Sequence, residues 1–395
     1  MSSETFLSVR WNYRVASTRD VFATSNRTLV DAITRKEPER CHRILAIVDG
    51  GVADATPDCV RRLEAYVQAH CNQLTLVTEP MVLVGGEDVK NDPRFLNAVL
   101  RQLHDHHIDR QACVVVIGGG AVLDVVGYAA AITHRGVRLV RLPSTVLAQA
   151  DSGVGVKNSV NAFGKKNFLG TFAPPFAVVN DSTFLQTLTT RDRVAGMAEA
   201  VKVALVRDAL FFRWIRRNAT ALGRGDVSLV DDLVRRSADL HMRHILTGGD
   251  PFEMESARPL DFGHWAAHKL EVLTDYRLRH GECVAIGLAL DSLYSAAAGF
   301  CDLTIARNVV DTLERLGFKL WDEALDMRSS TGELRVLEGL EEFREHLGGE
   351  LTVTLLAEAG RGIEVHTMDR DWVLASLEQL RTLSSAKTAA PSLEV

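Results

Sequence analysis

Residues 113–124 read CVVVIGGGAVLD: an apolar run, three glycines, and then the start of a helical pattern. An unbroken apolar run of this length suits a strand buried on both faces, as in a parallel sheet. Glycine lets a backbone approach a ligand closely, and a helix N-terminus favours an anion. The spacing is not GxGxxG, so the standard dinucleotide fingerprint is absent. Taken alone, the turn reads as readily as a tight strand-to-helix connection that needs positive φ.

The pattern continues on both sides. Upstream, Arg43–Val48 reads as a strand ending at the turn Asp49-Gly50-Gly51. Cys59–His70 and Asp92–His106 have helical spacing, and Leu74–Val77 and Met81–Val84 read as short strands. Downstream come a helix over Ala121–Thr133 and a strand over Val137–Leu142. This alternation predicts a Rossmann-like parallel sheet. Gly85-Gly86-Glu87-Asp88-Val89-Lys90 follows a strand, and Asp49 ends one, where a carboxylate can accept ribose hydroxyls. Three such strand ends predict a dinucleotide across the sheet's carboxyl edge.

From Arg191 onward long helical patterns dominate, at 191–222, 227–247, 260–275, 281–299, 303–316, 333–346 and 370–383. A strand pair, Leu351–Leu356 and Gly362–His366, interrupts them. The expected fold is therefore α/β plus α. A dinucleotide-binding domain occupies 1–185, a mostly helical metal- and substrate-binding domain 186–383, and a small polar tail expected to be disordered 384–395. At 395 residues the chain has room for two or three domains. A net charge of −6 with mixed signs argues against a nucleic-acid partner. Six scattered cysteines with no CxxC argue against a thiolate zinc site and fit a reducing compartment. No apolar run reaches the ~18–20 residues that cross a bilayer, and Met1–Asn12 has no apolar signal core, so a cytoplasmic location is expected.

Two further stretches carry chemistry. Residues 143–172, PSTVLAQADSGVGVKNSVNAFGKKNFLGTF, read as a long polar loop bearing Asp151, Lys157, Lys165, Lys166 and Asn167. Lysines beside glycine turns suit phosphate, and idle loops of this length are uncommon. In Asp261-Phe262-Gly263-His264-Trp265-Ala266-Ala267-His268, two histidines stand at i and i+4, and His280 follows. Two or three imidazoles with one carboxylate, for which Glu199 is a candidate, would make a zinc site with an open position. Trp265 stands where a protease HExxH motif has its glutamate.

In series, VDGGV, GGEDVK, GGGAVLDVVGYAAAITHRG, LPSTVLAQADSGVGVK, GKKNFLGTF, TLTTRDRVAGMAEAVK, DFGHWAAHKLE and RHGECVAIG resemble the sugar phosphate cyclases, the superfamily of 3-dehydroquinate synthase. The resemblance spans residues 43 to 370. It implies NAD and a divalent metal, Zn2+ or Co2+, as cofactors, a small sugar phosphate as substrate, and a homodimer. By position, the metal ligands are Glu199, His264 and His280. His268 matches a residue near the substrate phosphate, and Asp151, Lys157, Lys166, Asn167 and Lys202 match residues around the substrate. Arg135 matches an arginine that reaches the neighbouring subunit's site, and Arg361 a phosphate-binding lysine. The NAD site matches Asp49, Glu87, Lys90, Gly119, Gly120, Asp124, Ser144, Thr145, Thr187 and Leu188, with Asp151 and Lys166 shared.

Dehydroquinate synthases read R-x-x-x-N-F-G-H before the first ligand histidine. Here Arg258 is displaced by one residue, Asp261 replaces the asparagine, and Arg243 stands where a lysine is expected. A carboxylate at Asp261 would repel an acidic substrate. This favours a seven-carbon sugar phosphate without a carboxylate, sedoheptulose 7-phosphate, and a product on the 2-epi-5-epi-valiolone (cyclitol) synthase side. The implied reaction is transient oxidation by NAD, phosphate elimination, re-reduction and aldol closure, with no net redox change. The alternatives are 3-dehydroquinate synthase, a metal-dependent polyol dehydrogenase and a non-catalytic sugar-phosphate-binding paralogue.

Overall fold

The computed structural model describes residues 10–247, 252, 259–346 and 349–388. The chain divides into two compact units, residues 1–144 with 152–187 and residues 145–151 with 188–395. The first unit contains β1 (Arg14–Thr18), α1 (Thr28–Thr34), β2 (His42–Asp49), α2 (Gly50–Ala55), α3 (Cys59–Ala69), β3 (Leu74–Leu76) and β4 (Met81–Leu83). It continues with α4 (Asp88–Asn91), α5 (Pro93–Asp105), β5 (Cys113–Gly118), α6 (Gly120–Ile132), β6 (Arg138–Pro143), β7 (Lys157–Ala162), β8 (Lys165–Phe172) and β9 (Ala177–Asp181).

Seven of these strands form one sheet in the order β1-β9-β6-β5-β2-β3, with β4 also on β2. Every pairing in it is parallel. Each residue of β5 is buried, as its unbroken apolar run requires. From β2 the chain goes to β3 and β4 on one side and then to β5 on the other. The carboxyl ends of β2 and β5 therefore flank a topological switch point, where sheets of this kind bind ligands.

The stretch 143–172 is not one long loop. Residues 157–172 form a hairpin of β7 and β8 in which Ala162 pairs with Lys165. Phe163 and Gly164 turn it with φ of 53° and 71°. Two consecutive positive φ values mark the hairpin turn whose twist matches its strands. Its polar composition hid this, because both faces carry lysine and asparagine. The turn expected after Asp49 is instead the short helix α2, capped by the Asp49 side chain.

The second unit contains α7 (Thr190–Ala195), α8 (Met197–Arg207), α9 (Ala209–Gly223), α10 (Val227–Thr247), α11 (His264–Leu273) and α12 (His280–Ala297). It continues with α13 (Leu303–Leu316), α14 (Glu338–His346), the antiparallel pair β10 (Val353–Glu358) and β11 (Arg361–Val365), and α15 (Arg370–Thr388). α12 is its axis, buried from Cys283 to Ser295. It packs against α8, α11, α13 and α15. The helix expected over 191–222 is three. Asp208 caps α9 by accepting from the amides of Leu210 and Phe211, both at 2.9 Å. At the other break a Cβ on Gly196 would sit 2.5 Å from the Leu147 amide, so 145–151 packs with this unit rather than with the sheet. The last helix runs to Thr388, past the expected start of the tail, and 389–395 lie outside the described residues.

Candidate functional site

Three helices of the second unit bring Glu199, His264 and His280 together. Their ligating atoms lie within 4.8 Å of one another. Glu199 lies one turn into α8 and is buried. His264 and His280 are the first residues of α11 and α12. His264 Nε2 and His280 Nε2 stand 3.5 and 3.3 Å from Glu199 Oε1. The outer nitrogens are engaged elsewhere: His264 Nδ1 with the Phe262 carbonyl at 3.1 Å, and His280 Nδ1 with Glu271 Oε1 at 3.1 Å. Such partners fix the ring and tautomer of a metal-binding histidine. Both Glu199 oxygens are buried, with Lys202 and the two imidazoles as their neighbours. Two imidazole nitrogens and a buried carboxylate converging in this way fit a divalent cation with an open coordination position.

Around this triad the charges alternate. Lys202 Nζ makes an ion pair with Glu199 and lies 3.9 Å from Asp151 Oδ2. Burial pushes the Glu199 carboxyl up, but Lys202, His264 and His280 outweigh it and hold the group well below the usual carboxylate range. Burial likewise lowers the Lys202 ammonium, but Glu199, Asp151 and Asp261 raise it further, so it stays charged. Asp151 Oδ1 meets His241 Nδ1 of α10 at 2.8 Å. Arg243, where the family resemblance places a lysine, is exposed, and His241 is the α10 residue that reaches Asp151. His268 lies one turn beyond His264, with ring centroids 5.3 Å apart. Arg258 lies outside the described residues.

The first unit builds a different edge. Asp49 Oδ1 accepts from the Gly51 amide at 2.8 Å and Oδ2 from the Gly119 amide at 3.2 Å. The carboxylate expected to face ribose thus ties β2 to the glycine turn. Side chains would close this space: a Cβ on Gly85 would sit 2.1 Å from Asp49 Oδ1, and one on Gly118 2.9 Å from Asp49 Cβ. Gly119 stands at the N-cap of α6 and offers no side chain, which leaves the first amides of a 13-residue helix without a capping acceptor from it. A Cβ on Gly120 would sit 2.9 Å from Ser152 Oγ, which is buried with no hydrogen-bond partner. An uncapped helix start, a cradle that only glycine leaves open and an orphaned hydroxyl fit a dinucleotide phosphate.

Beside this edge lies a polar cluster. Buried Lys90 Nζ contacts Asp124 Oδ2 at 2.6 Å, Asn167 Oδ1 at 2.6 Å and Ser159 Oγ at 3.1 Å. Asn161 Nδ2 reaches Glu87 Oε1 at 3.4 Å. The Ser144 amide donates to the Gly118 carbonyl at 2.9 Å. Thr187 Oγ1 donates to the Phe184 carbonyl at 2.9 Å. In the second unit, Thr145 Oγ1 accepts from the Ala148 amide at 3.1 Å and the Leu188 carbonyl from Arg193 at 2.9 Å. Lys157 and Lys166 project from the hairpin strands β7 and β8.

Two residues stand apart. Arg135 is exposed, beyond the end of α6 opposite Gly119. Thirteen helical residues at ~1.5 Å each put ~20 Å between them. Arg361 is exposed and paired with Glu358 at 2.8 Å. Its hairpin docks on the far end of α8, where the Gly360 amide donates to the Leu205 carbonyl at 2.7 Å. That is ~9 Å along the helix from Glu199. The structure therefore does not bring Arg361 to the triad.

Glu271, His241 and Asp291 stand around the candidate metal centre but were not foreseen. Spacing could have found two of them. His264, His268 and Glu271 stand at i, i+4 and i+7 on one face of α11, and His280 and Asp291 share a face of α12. Nothing near His241 in sequence marks it.

Residues 80–195 match the family model for the 3-dehydroquinate synthase N-terminal region, and 196–335 that for its C-terminal region. The chain is 36% identical over 307 residues to a 3-dehydroquinate synthase of Ruegeria sp. (strain TM1040), covering 76% of this chain and 80% of that protein. In fold it is similar to a 2-epi-5-epi-valiolone synthase of Streptomyces hygroscopicus subsp. jinggangensis, solved with NAD+ and Zn2+ bound. The TM-score is 0.84 at 25% identity, covering 96% of this chain and 100% of that one. A 2-deoxy-scyllo-inosose synthase, solved with carbaglucose-6-phosphate, NAD+ and Co2+, shares the fold at a TM-score of 0.75 and 19% identity, covering 93% and 96%. With its parallel sheet, its helical second unit and matches in series over both regions, this chain belongs to the 3-dehydroquinate synthase family of the sugar phosphate cyclase superfamily.

Proposed function

We propose that this member of the family cyclises a seven-carbon sugar phosphate that has no carboxylate, sedoheptulose 7-phosphate, to a cyclitol. The observation that carries the reading is the crowding of Glu199, Asp151 and Asp261 about Lys202, whose charge each of them stabilises. One ammonium already serves three carboxylates. With a divalent cation neutralising Glu199, Lys202 still serves Asp151 and Asp261, and a substrate carboxylate brought beside Asp261 would meet a like charge. Two like charges 4 Å apart cost about 4 kcal/mol at an effective dielectric of about 20. A neutral polyol end avoids this cost and can donate hydroxyls to Asp151 and Asp261.

In this reading Glu199, His264 and His280 hold Zn2+ or Co2+, and Asp49, Gly119, Gly120, Glu87, Lys90 and Asp124 line the NAD site. Ser144, Thr145, Thr187 and Leu188 complete it. When bound, NAD would accept a hydride from the carbinol carbon and return it, and the metal would act as a Lewis acid on the oxygen of that alcohol. The remaining work falls to side chains. Lys202 stays an ammonium and donates to substrate oxygen. Asp151, held by His241, accepts a hydroxyl. Lys157, Lys166 and His268 meet the phosphate. Asn167 holds Lys90 in place. Arg135 serves the site of a second copy in a homodimer.

The test is to incubate the protein with NAD and Zn2+ or Co2+. Sedoheptulose 7-phosphate and 3-deoxy-arabino-heptulosonate 7-phosphate are supplied separately. Phosphate release, NADH absorbance and product mass are followed together. The expected result is phosphate release from the first substrate with no net NADH. Release from the carboxylated substrate alone would make the chain a 3-dehydroquinate synthase.

A further inference from the structure

We propose that Asp291 is a positioning residue for the metal ligand His264, acting through the two residues that flank it. Asp291 lies on α12, three turns beyond His280, and is fully buried. Its Oδ2 accepts from the Gly263 amide at 3.1 Å and its Oδ1 from Trp265 Nε1 at 2.8 Å. One carboxylate therefore grips the chain immediately before and immediately after the ligand.

The turn it grips is tight. Gly263 has φ of +77°, and a Cβ there would lie 2.7 Å from the Leu288 amide. A Cβ on Gly287 would lie 2.0 Å from the Gly263 carbonyl. The start of α11 thus rests on α12 backbone to backbone, and Asp291 reaches over this contact from one turn further on. Phe262, whose carbonyl holds His264 Nδ1, is fully buried. Every neighbour of His264 from 262 to 265 is fixed, which leaves its ring aimed at Glu199.

A merely structural role is a poor explanation. Burying a carboxylate among apolar side chains is costly, and two neutral donors do not offset a full charge. Burial pushes the Asp291 carboxyl up to about 7. An apolar residue at 291 beside phenylalanine at 265 would fill the same space without that penalty. The carboxylate makes sense as a clamp on the ligand turn.

The proposal rests on Glu199, His264 and His280 being metal ligands, so the test reads metal binding and not turnover. Metal-free wild type, D291N, W265F, W265F/D291N and the α15 core variant V373A are titrated with Zn2+ against a chelator dye. Apo melting temperatures are measured alongside, together with the visible spectra of the Co2+ forms. In D291N one donor meets an amide NH2 instead of an oxygen. Zn2+ affinity is expected to fall about 10–100-fold, as for other outer partners of metal ligands, and the Co2+ bands to shift. W265F keeps the Gly263 contact and is expected to lose about threefold. W265F/D291N, freed of the clash with the indole N–H, is expected to bind better than D291N. V373A is expected to lower the melting temperature while leaving affinity and spectrum unchanged.

Wild-type affinity in D291N, or a loss matched by V373A at equal melting temperature, would overturn the role of Asp291. If D291N does not fold, unchanged affinity and spectrum in W265F overturn it. Wild type that binds no metal would instead sink the ligand assignment, and failure of the cyclase assay would leave this result standing.

Discussion

Asp291 also makes a statement about stability. Its folded value of about 7 lies above the ~3.9 of an unfolded aspartate. Between these values the folded chain holds a proton that the unfolded chain has lost. Its contribution to stability is therefore complete below about pH 4 and is lost as pH rises through 7. From pH 5 to pH 8 this amounts to about 2–3 kcal/mol, at ~1.4 kcal/mol per unit. Urea unfolding of the metal-free protein is expected to show wild type losing that much relative to D291N over the interval, and parallel pH profiles would contradict the buried charge. The residue scale also shows where sequence stops informing. His264 and His268 announce themselves by type and spacing, Glu199 is picked out by the family resemblance, and Glu271 lies at a helical interval from His264. His241 is one histidine of an ordinary amphipathic helix, and only folding brings it 2.8 Å from Asp151.

At the scale of elements, apolar strands, the short β3 and β4 among them, and strong helices were legible, and the polar hairpin was not. β5 shows itself by its unbroken run, but β7 (KNSVNA) and β8 (KKNFLGTF) open on lysine and asparagine, have no regular apolar alternation and look like loop. What holds the segment entering that hairpin is Arg141 on β6, fully buried. Its Nη1 donates to the carbonyls of Gly153 and Gly155 at 3.1 and 2.8 Å. Nη2 donates to the Lys157 carbonyl and Asn158 Oδ1 at 3.1 and 2.5 Å. Burial lowers the guanidinium to about 10, so it stays charged at neutral pH. An arginine inside a strand gives no hint of four acceptors up to 17 residues ahead. Arg141→Met orphans them, at ~1–3 kcal/mol for each buried group left unsatisfied. Urea denaturation is expected to show a loss of at least ~3 kcal/mol. Arg141→Lys is expected to recover only part, because an ammonium lacks the planar fork. A loss below ~1 kcal/mol in Arg141→Met would show that the segment holds itself.

At the scale of the whole molecule, the two kinds of chemistry sit in different compact units. Every ligand of the candidate metal centre, with Glu271 and Asp291 behind it, comes from the second unit. The glycine edge, with Asp49 and Ser152, comes from the first. The sequence expects a boundary at 185, where the character of the chain changes. The grouping of 145–151 with the helical unit is not legible in the sequence, because it depends on contacts that only folding makes: Gly196 against Leu147, and Asp151 against His241 and Lys202. The division makes the two binding functions separable by mutation. Gly120→Val drives a branched side chain into Ser152 Oγ and crowds the uncapped start of α6. It is expected to weaken NAD binding at least tenfold by calorimetry while Zn2+ affinity holds. His264→Ala removes one of three ligands and is expected to abolish tight Zn2+ binding while NAD affinity changes less than threefold. Both variants are expected to lose phosphate release, because the cyclase reaction draws on both groups. If His264→Ala still released phosphate at the wild-type rate, the histidine and glutamate cluster would be a buried polar network and the metal would have no part in turnover. If Gly120→Val bound NAD normally, the glycines would serve only to pack the turn and the nucleotide would have to lie elsewhere on the sheet.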